Sequence, residues 1–155
     1  MEQLNYEIEL EKVCEQIEKN KLAVLATCSN NIPTARTMSI VFFDKKIYFQ
    51  TSIEYLKYKQ ISENINVALC IFNIQIEGVA KLKGKTIEND KFIEIYKKHH
   101  EDSYKKYSKL DTSRLIEITP KKFTIWDYDN NGKPSRIFID LDTKNAYREM
   151  EPFIE

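Results

Sequence analysis

The stretch FQTSIEYLKYKQI, residues 49–61, ends an apolar strand at a Thr-Ser pair and continues into a short helix that carries lysine. A helix start offers unpaired backbone N–H groups and about half a unit of positive charge, so it attracts anions. Thr51 and Ser52 add hydroxyl groups there, Lys57 follows within two turns, and Arg36 on a neighbouring strand suits bidentate phosphate contact. The residues are therefore compatible with a phosphate site, whereas a solvated lysine on a helix surface is the more ordinary interpretation.

Short strands joined by tight turns precede this junction. KLAVLAT (21–27) and TARTMSIVFF (34–43) flank the turn SNNIP, and Asp44-Lys45-Lys46 leads into IYFQTS (47–52). Turns of this length join antiparallel neighbours rather than parallel strands. The pattern thus predicts two consecutive hairpins before the helix.

One helix is predicted before the hairpins, and one long strand and a second helix are predicted after them. Apolar spacing indicates a first helix that ends near Asn20 and a second, long helix over residues 89–110. The segment 66–85 is too long for one flat strand, so we expect a bulge or bend at Gly78. The residues on one face of that strand change from apolar to polar midway, as they would where the face meets either a ligand cleft or solvent.

Apolar spacing also predicts which helix positions face inward. We expect inward positions at Leu56, Gln60 and Ile61 of the short helix and at Phe92, Ile95, Tyr96 and His99 of the long helix.

The closing strands are RLIEITP (114–120), KKFTIWDYD (121–129) and a short RIFID (136–140), followed by a polar tail. No repeat, linker or composition shift divides the chain, so residues 1–155 are predicted to form one domain. The order of elements predicts a mainly β, α+β fold, an antiparallel barrel with helices covering its ends.

Composition excludes several classes of protein. The 24 basic and 24 acidic residues give a net charge of +0, which argues against a nucleic-acid binder. Cys14, Cys28 and Cys70 show no CxxC spacing, so we expect neither a disulfide framework nor a zinc ribbon. The N-terminus lacks the apolar core of a signal peptide, and no apolar run approaches the ~20 residues of a membrane span. We expect a soluble, cytoplasmic protein without a membrane partner.

The distributed pattern around the opening stretch resembles a known family. It comprises Arg36-Thr-Met-Ser, IYFQTS, Lys57-x-x-Gln60-Ile61, Asn64-x-Asn66-Val67-Ala-Leu and IEGVAKL. In order and spacing it resembles the FMN-binding split-barrel family related to pyridoxamine 5′-phosphate oxidase, over approximately residues 8–128. The resemblance implies an antiparallel split barrel that forms homodimers and binds FMN in two clefts between the subunits.

The same resemblance implies roles for individual residues. Arg36 and Lys57 match the residues that hold the FMN phosphate, and the strand from Arg36 to Val41 matches the one that runs along the isoalloxazine ring. Trp126 and Arg136 fall at the spacing of two residues that reach the flavin from the partner subunit. The implied cofactor-binding set is Arg36, Thr37, Met38, Ser39, Gln50, Thr51, Ser52, Lys57, Gln60, Asn73 and Trp126.

The sequence also departs from the oxidase pattern. Leu56 stands where the oxidase has an arginine, Val41 stands where it has a lysine, and the helix FIEIYKKHHEDSYKKY lacks the arginine that holds the substrate phosphate. Oxidation of pyridoxamine phosphate is therefore not expected. The chain more closely resembles the shorter relatives described as general stress or flavin-binding proteins.

Two functions from different classes remain open on this basis. The first is an FMN-dependent oxidoreductase that passes electrons between a donor such as reduced nicotinamide and an unknown small substrate. The second is a non-catalytic FMN binder, or a flavin-less dimeric ligand-binding protein. A haem role for His99 and His100 is a minor alternative, since adjacent helical side chains point about 100° apart.

Overall fold

The computed structural model describes residues 1–152, in which ten strands and four helices are found. The strands are β1 (Glu2–Leu4), β2 (Leu22–Ser29), β3 (Ile32–Ser39), β4 (Val41–Phe43), β5 (Lys46–Ser52), β6 (Asn66–Ile71), β7 (Ile74–Lys85), β8 (Ser113–Tyr128), β9 (Pro134–Asp140) and β10 (Asn145–Met150). The helices are α1 (Tyr6–Glu18), α2 (Leu56–Glu63), α3 (Asp90–His99) and α4 (Glu101–Ser103). A 3₁₀ turn (Thr86–Glu88) precedes α3, and a π-helical turn (Tyr104–Ser108) follows α4.

All strand pairs are antiparallel, which confirms the predicted fold class. The sheet runs in the order β1-β10-β9-β8-β7-β6-β2-β3, and β5 pairs with both β4 and β8. Along one side, β8 pairs with β7 over most of its length. Along its other side, β8 pairs with β5 through Ser113–Ile118 and with β9 through Lys122–Tyr128. The sheet therefore divides at β8, as expected of a split barrel.

The two predicted hairpin turns form with the backbone that their residues favour. Asn30 and Asn31 connect β2 to β3 with φ of 50° and 61°, and Asp44 and Lys45 connect β4 to β5 with φ of 52° and 58°. Consecutive residues with positive φ match the right-handed twist of the flanking strands. These turns place the ends of β3 and β5 beside the start of α2.

The segment 66–85 differs from the predicted single strand. It is a hairpin, β6 and β7, whose turn contains Phe72 at φ 49° and 86% exposure. The polar change along the segment therefore reflects a reversal of the chain. The predicted bulge at Gly78 is confirmed by a register shift between Glu77 and Gly78. A Cβ at Gly78 would lie 2.8 Å from Ile118 Cγ2, so the bulge brings two backbones too close for a side chain.

The predicted long helix is interrupted. The chain leaves helical geometry at His100 (φ −137°, ψ 58°), so α3 is separate from α4 and the π-helical turn. Phe92 and Tyr96 are buried as predicted, but His99 is exposed, because α3 ends there and turns that side chain outward. Leu56 is also exposed, at 56%, because it begins α2 at the surface. The polar tail after residue 140 contains β10, which the sequence analysis did not predict.

The barrel core and a smaller cluster beneath α3 are apolar. The smaller cluster contains Val41, Tyr48, Phe92, Tyr96 and Leu115. Since Val41 is buried there, a lysine at that position would lose its solvation. Among the described residues, no helix has the length and apolar character needed to cross a membrane.

Candidate functional site

A cleft opens where the ends of β3 and β5 meet the start of α2. Its volume is about 420 Å³, within the range of small-molecule sites. Its far wall is formed by α3, α4, the π-helical turn and the start of β8. The lining residues are Thr37, Met38, Ser39, Gln50, Thr51, Ser52, Glu54, Tyr55, Lys57, Tyr96, Ser103, Tyr107, Leu110, Thr112 and Ser113.

The floor of the cleft contains a buried hydroxyl group without a partner. Thr51 is 6% exposed, and its Oγ1 has no hydrogen bond within residues 1–152. An unpaired buried hydroxyl costs about 1–3 kcal/mol, so such atoms usually serve a ligand or a bound water. Next to it, Ser52 Oγ accepts a hydrogen bond from the Glu54 N–H at 3.2 Å, which shapes the turn into α2.

The start of α2 is open to an anion. Tyr55 occupies the N-cap position and provides no side-chain hydrogen bond to the first turn. The first N–H groups of a helix have no partner within the helix, so here they can bind an external acceptor. Together with the Thr51 hydroxyl, the N–H groups of this helix start provide the uncharged hydrogen-bond donors of a candidate anion site.

Two cations lie close to this helix start. Within residues 1–152, neither Lys57 nor Arg36 forms an ion pair; Lys57 Nζ instead lies 4.8 Å from the centre of the Tyr55 ring. Burial, and then the nearby Arg36 charge, lower the pKa of Lys57, and burial lowers the pKa of Arg36. Two neighbouring cations without a carboxylate repel each other, which an anionic ligand would relieve.

Arg36 and Gln60 lie beside the cleft rather than in its lining. The Arg36 guanidinium donates to Thr27 Oγ1 at 2.8 Å and to Thr34 Oγ1 at 2.5 Å. Both hydroxyls in turn donate to Gln60 Oε1. Thr27 and Thr34 were not predicted from the sequence as members of the site. They could have been found from the hairpin, because they are equidistant from the Asn30-Asn31 turn and therefore face each other across β2 and β3.

The far wall supplies a chain of polar groups that the sequence analysis also missed. Ser108 Oγ donates to Gln50 Oε1 at 2.6 Å, and Tyr96 Oη lies 2.8 Å from Ser103 Oγ. Gln50 Nε2 is 3.5 Å from Ser103 Oγ, which links the two pairs. Burial raises the pKa of Tyr96, so its phenol stays protonated. No proline or glycine marks the helix break that brings this segment to the cleft, so the break could not be predicted from local residue preferences.

Asn73, Trp126 and Arg136 lie at a second location. Asn73 Nδ2 donates to the Trp126 carbonyl at 2.8 Å, and the Trp126 N–H donates to the Asn73 carbonyl at 3.1 Å. Trp126 is 48% exposed, and Arg136 forms ion pairs with Glu149 and Glu151. None of the three lines the cleft of its own chain.

This second location belongs to a broad sheet face. The strands β2, β6, β7, β8 and β9 present one face to α1 or the barrel core and leave the other uncovered in the described chain. On its β2–β6 side lie small or apolar residues that pair across strands, Val24 with Cys70 and Ala26 with Ala68, whereas Glu77 pairs with Lys122 across β7 and β8. Val24 and Cys70 are exposed. We call this surface, from Val24 to Trp126, the open sheet face.

His99 and His100 lie at the break between α3 and α4. Among residues 1–152, no cluster of three or more His, Cys, Asp or Glu side chains has the arrangement of a metal site. His100 Nε2 lies 2.8 Å from the Ile40 carbonyl oxygen, which ties the helix break to the end of β3. Burial lowers the pKa of His100. His100 therefore holds the far wall of the cleft in place.

Comparison with known proteins agrees with this architecture. The family model described as pyridoxamine 5′-phosphate oxidase matches residues 10–127. A pyridoxine/pyridoxamine 5′-phosphate oxidase from Rippkaea orientalis is 31% identical over 83 residues, which cover 52% of this chain and 39% of that protein. The match therefore spans less than half the length of that relative.

Two solved structures extend the likeness beyond the matched segment. General Stress Protein 26 from Bacillus anthracis has a TM-score of 0.63 at 22% identity, covering 86% of this chain and 99% of that one. Campylobacter jejuni ChuZ has a TM-score of 0.76 at 13% identity, covering 98% of this chain and 68% of that one. At these identities the two structures support the fold. Since the family model covers most of the chain, the protein belongs to the pyridoxamine 5′-phosphate oxidase family.

Proposed function

We propose that the cleft binds FMN, with the phosphate at the start of α2, and that the protein is a flavin-dependent oxidoreductase acting on a small substrate. The observation that carries this proposal is the buried, unpaired Thr51 hydroxyl beside an uncapped helix start. Lys57 and Arg36 add two cations without ion-pair partners in residues 1–152. A phosphate monoester would satisfy the hydroxyl, the helix N–H groups and both charges.

The remaining lining residues suit the rest of the cofactor. Thr37, Met38 and Ser39 belong to β3, which ends the sheet order and has one edge without a strand partner in the described chain. Unpaired backbone groups along such an edge can donate to and accept from the rim of a planar ring. Gln50 and Tyr96 are held rigidly on the opposite side, which would limit the movement of a bound ring.

FMN, when bound, supplies hydride and single-electron transfer chemistry. The chain's own residues would bind the phosphate, orient the ring and exclude water from it. The Tyr96 phenol remains protonated and does not act as a base. When Ser103 donates to Tyr96 Oη, the single phenol proton is available for a hydrogen bond into the cleft.

We further propose that two chains pair through the open sheet face, so that Asn73, Trp126 and Arg136 of one subunit approach the cleft of the other. The proposal rests on the apolar β2–β6 side of that face and on the position of these residues outside their own cleft. A large uncovered face with exposed Val24 and Trp126 is typical of a surface buried in an oligomer.

A flavoprotein without turnover is the second candidate. The observation that favours it is the smaller number of cations: Leu56 is exposed and uncharged, and Val41 is buried. One phosphate cation fewer would weaken cofactor retention without changing the cleft. Reduction of bound flavin by a panel of donors would separate the two functions, since a catalytic protein must reoxidise and turn over.

The first test is a titration of the purified protein with FMN and with riboflavin, followed by visible absorbance after desalting. We expect FMN to be retained and to bind more tightly than riboflavin, because only FMN carries the phosphate. Equal affinities for the two would overturn the phosphate site. Failure to bind either flavin would overturn the oxidoreductase proposal and leave the family fold unaffected.

A further inference from the structure

A partly buried polar network holds Arg36, one cation of the proposed phosphate site, and links it to the helix that carries the other cation, Lys57. Arg36 on β3 reaches Thr27 and Thr34, and both threonines reach Gln60 on α2. Lys57 lies three residues before Gln60 on the same helix, so positions 57 and 60 share one helix face. Through this network, β3 and α2 are linked next to the proposed site.

The hydrogen-bonding direction in the network is determined by its ends. A guanidinium only donates, and an amide oxygen only accepts. Each threonine hydroxyl must therefore accept from Arg36 and donate to Gln60, at distances of 2.5–2.8 Å. Only one arrangement of protons satisfies all four bonds.

The orientation of the Gln60 amide is determined as well. Its Nε2 donates to the Ile32 carbonyl oxygen at 3.2 Å. A flipped amide would place its oxygen against that carbonyl and its NH₂ against both threonines, which would leave their two protons only the 3.4 Å contact between the two hydroxyls. Gln60 and Thr27 are buried, so water does not reach them to compensate for a wrong orientation, and within the network it reaches only the half-buried Thr34 and Arg36.

The network holds Arg36 without neutralising it. Its acceptors are Thr27, Thr34 and the Leu25 carbonyl oxygen at 3.3 Å, all of which are uncharged. A carboxylate at any of these points would fix the guanidinium equally well but cancel its charge. Neutral acceptors keep the full charge of Arg36 available to an anion.

We infer that Gln60, acting through Thr27 and Thr34, is a positioning residue that fixes the charged guanidinium of Arg36 relative to Lys57 for recognition of the cofactor phosphate. This role rests on the proposed function, because it requires a phosphate in the cleft. It assigns Gln60 to orienting Arg36 rather than to touching the cofactor.

The test is the ratio of riboflavin to FMN dissociation constants, measured in variants of the network. Thr34→Val removes one hydroxyl at nearly constant volume, and Gln60→Met removes the shared acceptor. We expect the ratio to fall by about tenfold in each variant, with riboflavin affinity nearly unchanged. The reason is that a displaced Arg36 guanidinium loses its charge-assisted hydrogen bond to the phosphate. Thr34→Ser should restore it, and Thr119→Val on β8 is the matched control.

Each outcome has one meaning. A lower ratio in both variants with recovery in Thr34→Ser supports the positioning role. An unchanged ratio in folded Thr34→Val and Gln60→Met overturns it while leaving the phosphate site intact. Equal loss of both flavins, with a lower melting temperature, also overturns it, because it identifies the network as structural only. If the unmodified protein does not prefer FMN, the phosphate site itself fails.

Discussion

The junction between β5 and α2 and the open sheet face each contain residues predicted to contact one cofactor, and they lie apart in a single chain. Thr51 and Lys57 line the cleft, whereas Asn73 and Trp126 bond to each other outside it. The junction is encoded locally, by a strand end followed at once by a helix start. The open sheet face acquires a role at the cleft only if another chain presents it. The comparison therefore distinguishes cofactor contacts that one chain can make by itself from contacts that require two paired chains.

The largest expected effect lies at the junction. Lys57→Ala and Arg36→Ala should each weaken FMN binding by about tenfold or more, because each removes a charge-assisted contact to the phosphate. Riboflavin binding should change little. Isothermal titration with both flavins measures this, and Lys59→Ala, an exposed lysine on the same helix, is the control. Unchanged FMN affinity in both variants would place the phosphate elsewhere.

A somewhat smaller effect is expected at the open sheet face, and it should depend on pairing of the chains. Val24→Glu buries a charge in the proposed interface and should yield monomers in light-scattering measurements. Trp126→Ala removes an aromatic contact and should weaken both flavins by about fivefold.

The two changes should not add. If Trp126 acts from the partner, Val24→Glu already removes it, and the double variant should bind FMN no more weakly than Val24→Glu alone. Ile87→Glu, at a similarly exposed apolar position away from this face, is the control. Additive losses would show that Trp126 acts within its own chain or not at the cleft.

A third effect contrasts binding with stability at the buried hydroxyl. Thr51→Val removes an unpaired polar atom, so the flavin-free protein should gain about 1 kcal/mol in its free energy of unfolding. FMN affinity should fall a few-fold, because the phosphate loses a donor. Urea denaturation without flavin and titration with FMN measure the two. Loss of stability in Thr51→Val would show that the hydroxyl has a partner within the protein.

The sequence was informative where structure depends on neighbouring residues. Asn30-Asn31 and Asp44-Lys45 adopt positive φ readily, so their hairpins, and with them the ends of β3 and β5, were predictable. The β6–β7 hairpin was missed because Phe72, an aromatic residue without turn preference, occupies the left-handed position. His100 interrupts the long helix with no proline or glycine nearby.

The residues of the candidate site likewise fall into those that local sequence predicts and those that tertiary contacts bring together. Thr51, Ser52 and Lys57 follow from one continuous stretch of sequence. Ser103 and Ser108 reach the cleft only because the helix breaks, and that break depends on tertiary contacts such as the one between His100 and Ile40. Side chains that meet through such contacts have no fixed spacing in the sequence, so periodicity could not identify them.

The smallest expected effect is the pH dependence of FMN binding, which tests the charge of Lys57. Its pKa lies below the ordinary value of 10.5 because of burial and the Arg36 charge. The phosphate binds the protonated amine, so FMN affinity should be constant at neutral pH and fall as the pH rises through this lowered pKa. Above about pH 7 the phosphate is already fully ionised, so its own titration does not contribute.

The control for this experiment is a cation that does not titrate. Lys57→Arg retains positive charge throughout the accessible pH range, so its FMN affinity should stay level where that of the unmodified protein falls a few-fold. Riboflavin, which lacks the phosphate, should show no such fall in either protein. A parallel decline for riboflavin, or an equal decline in Lys57→Arg, would assign the titration to another group and separate Lys57 from the phosphate.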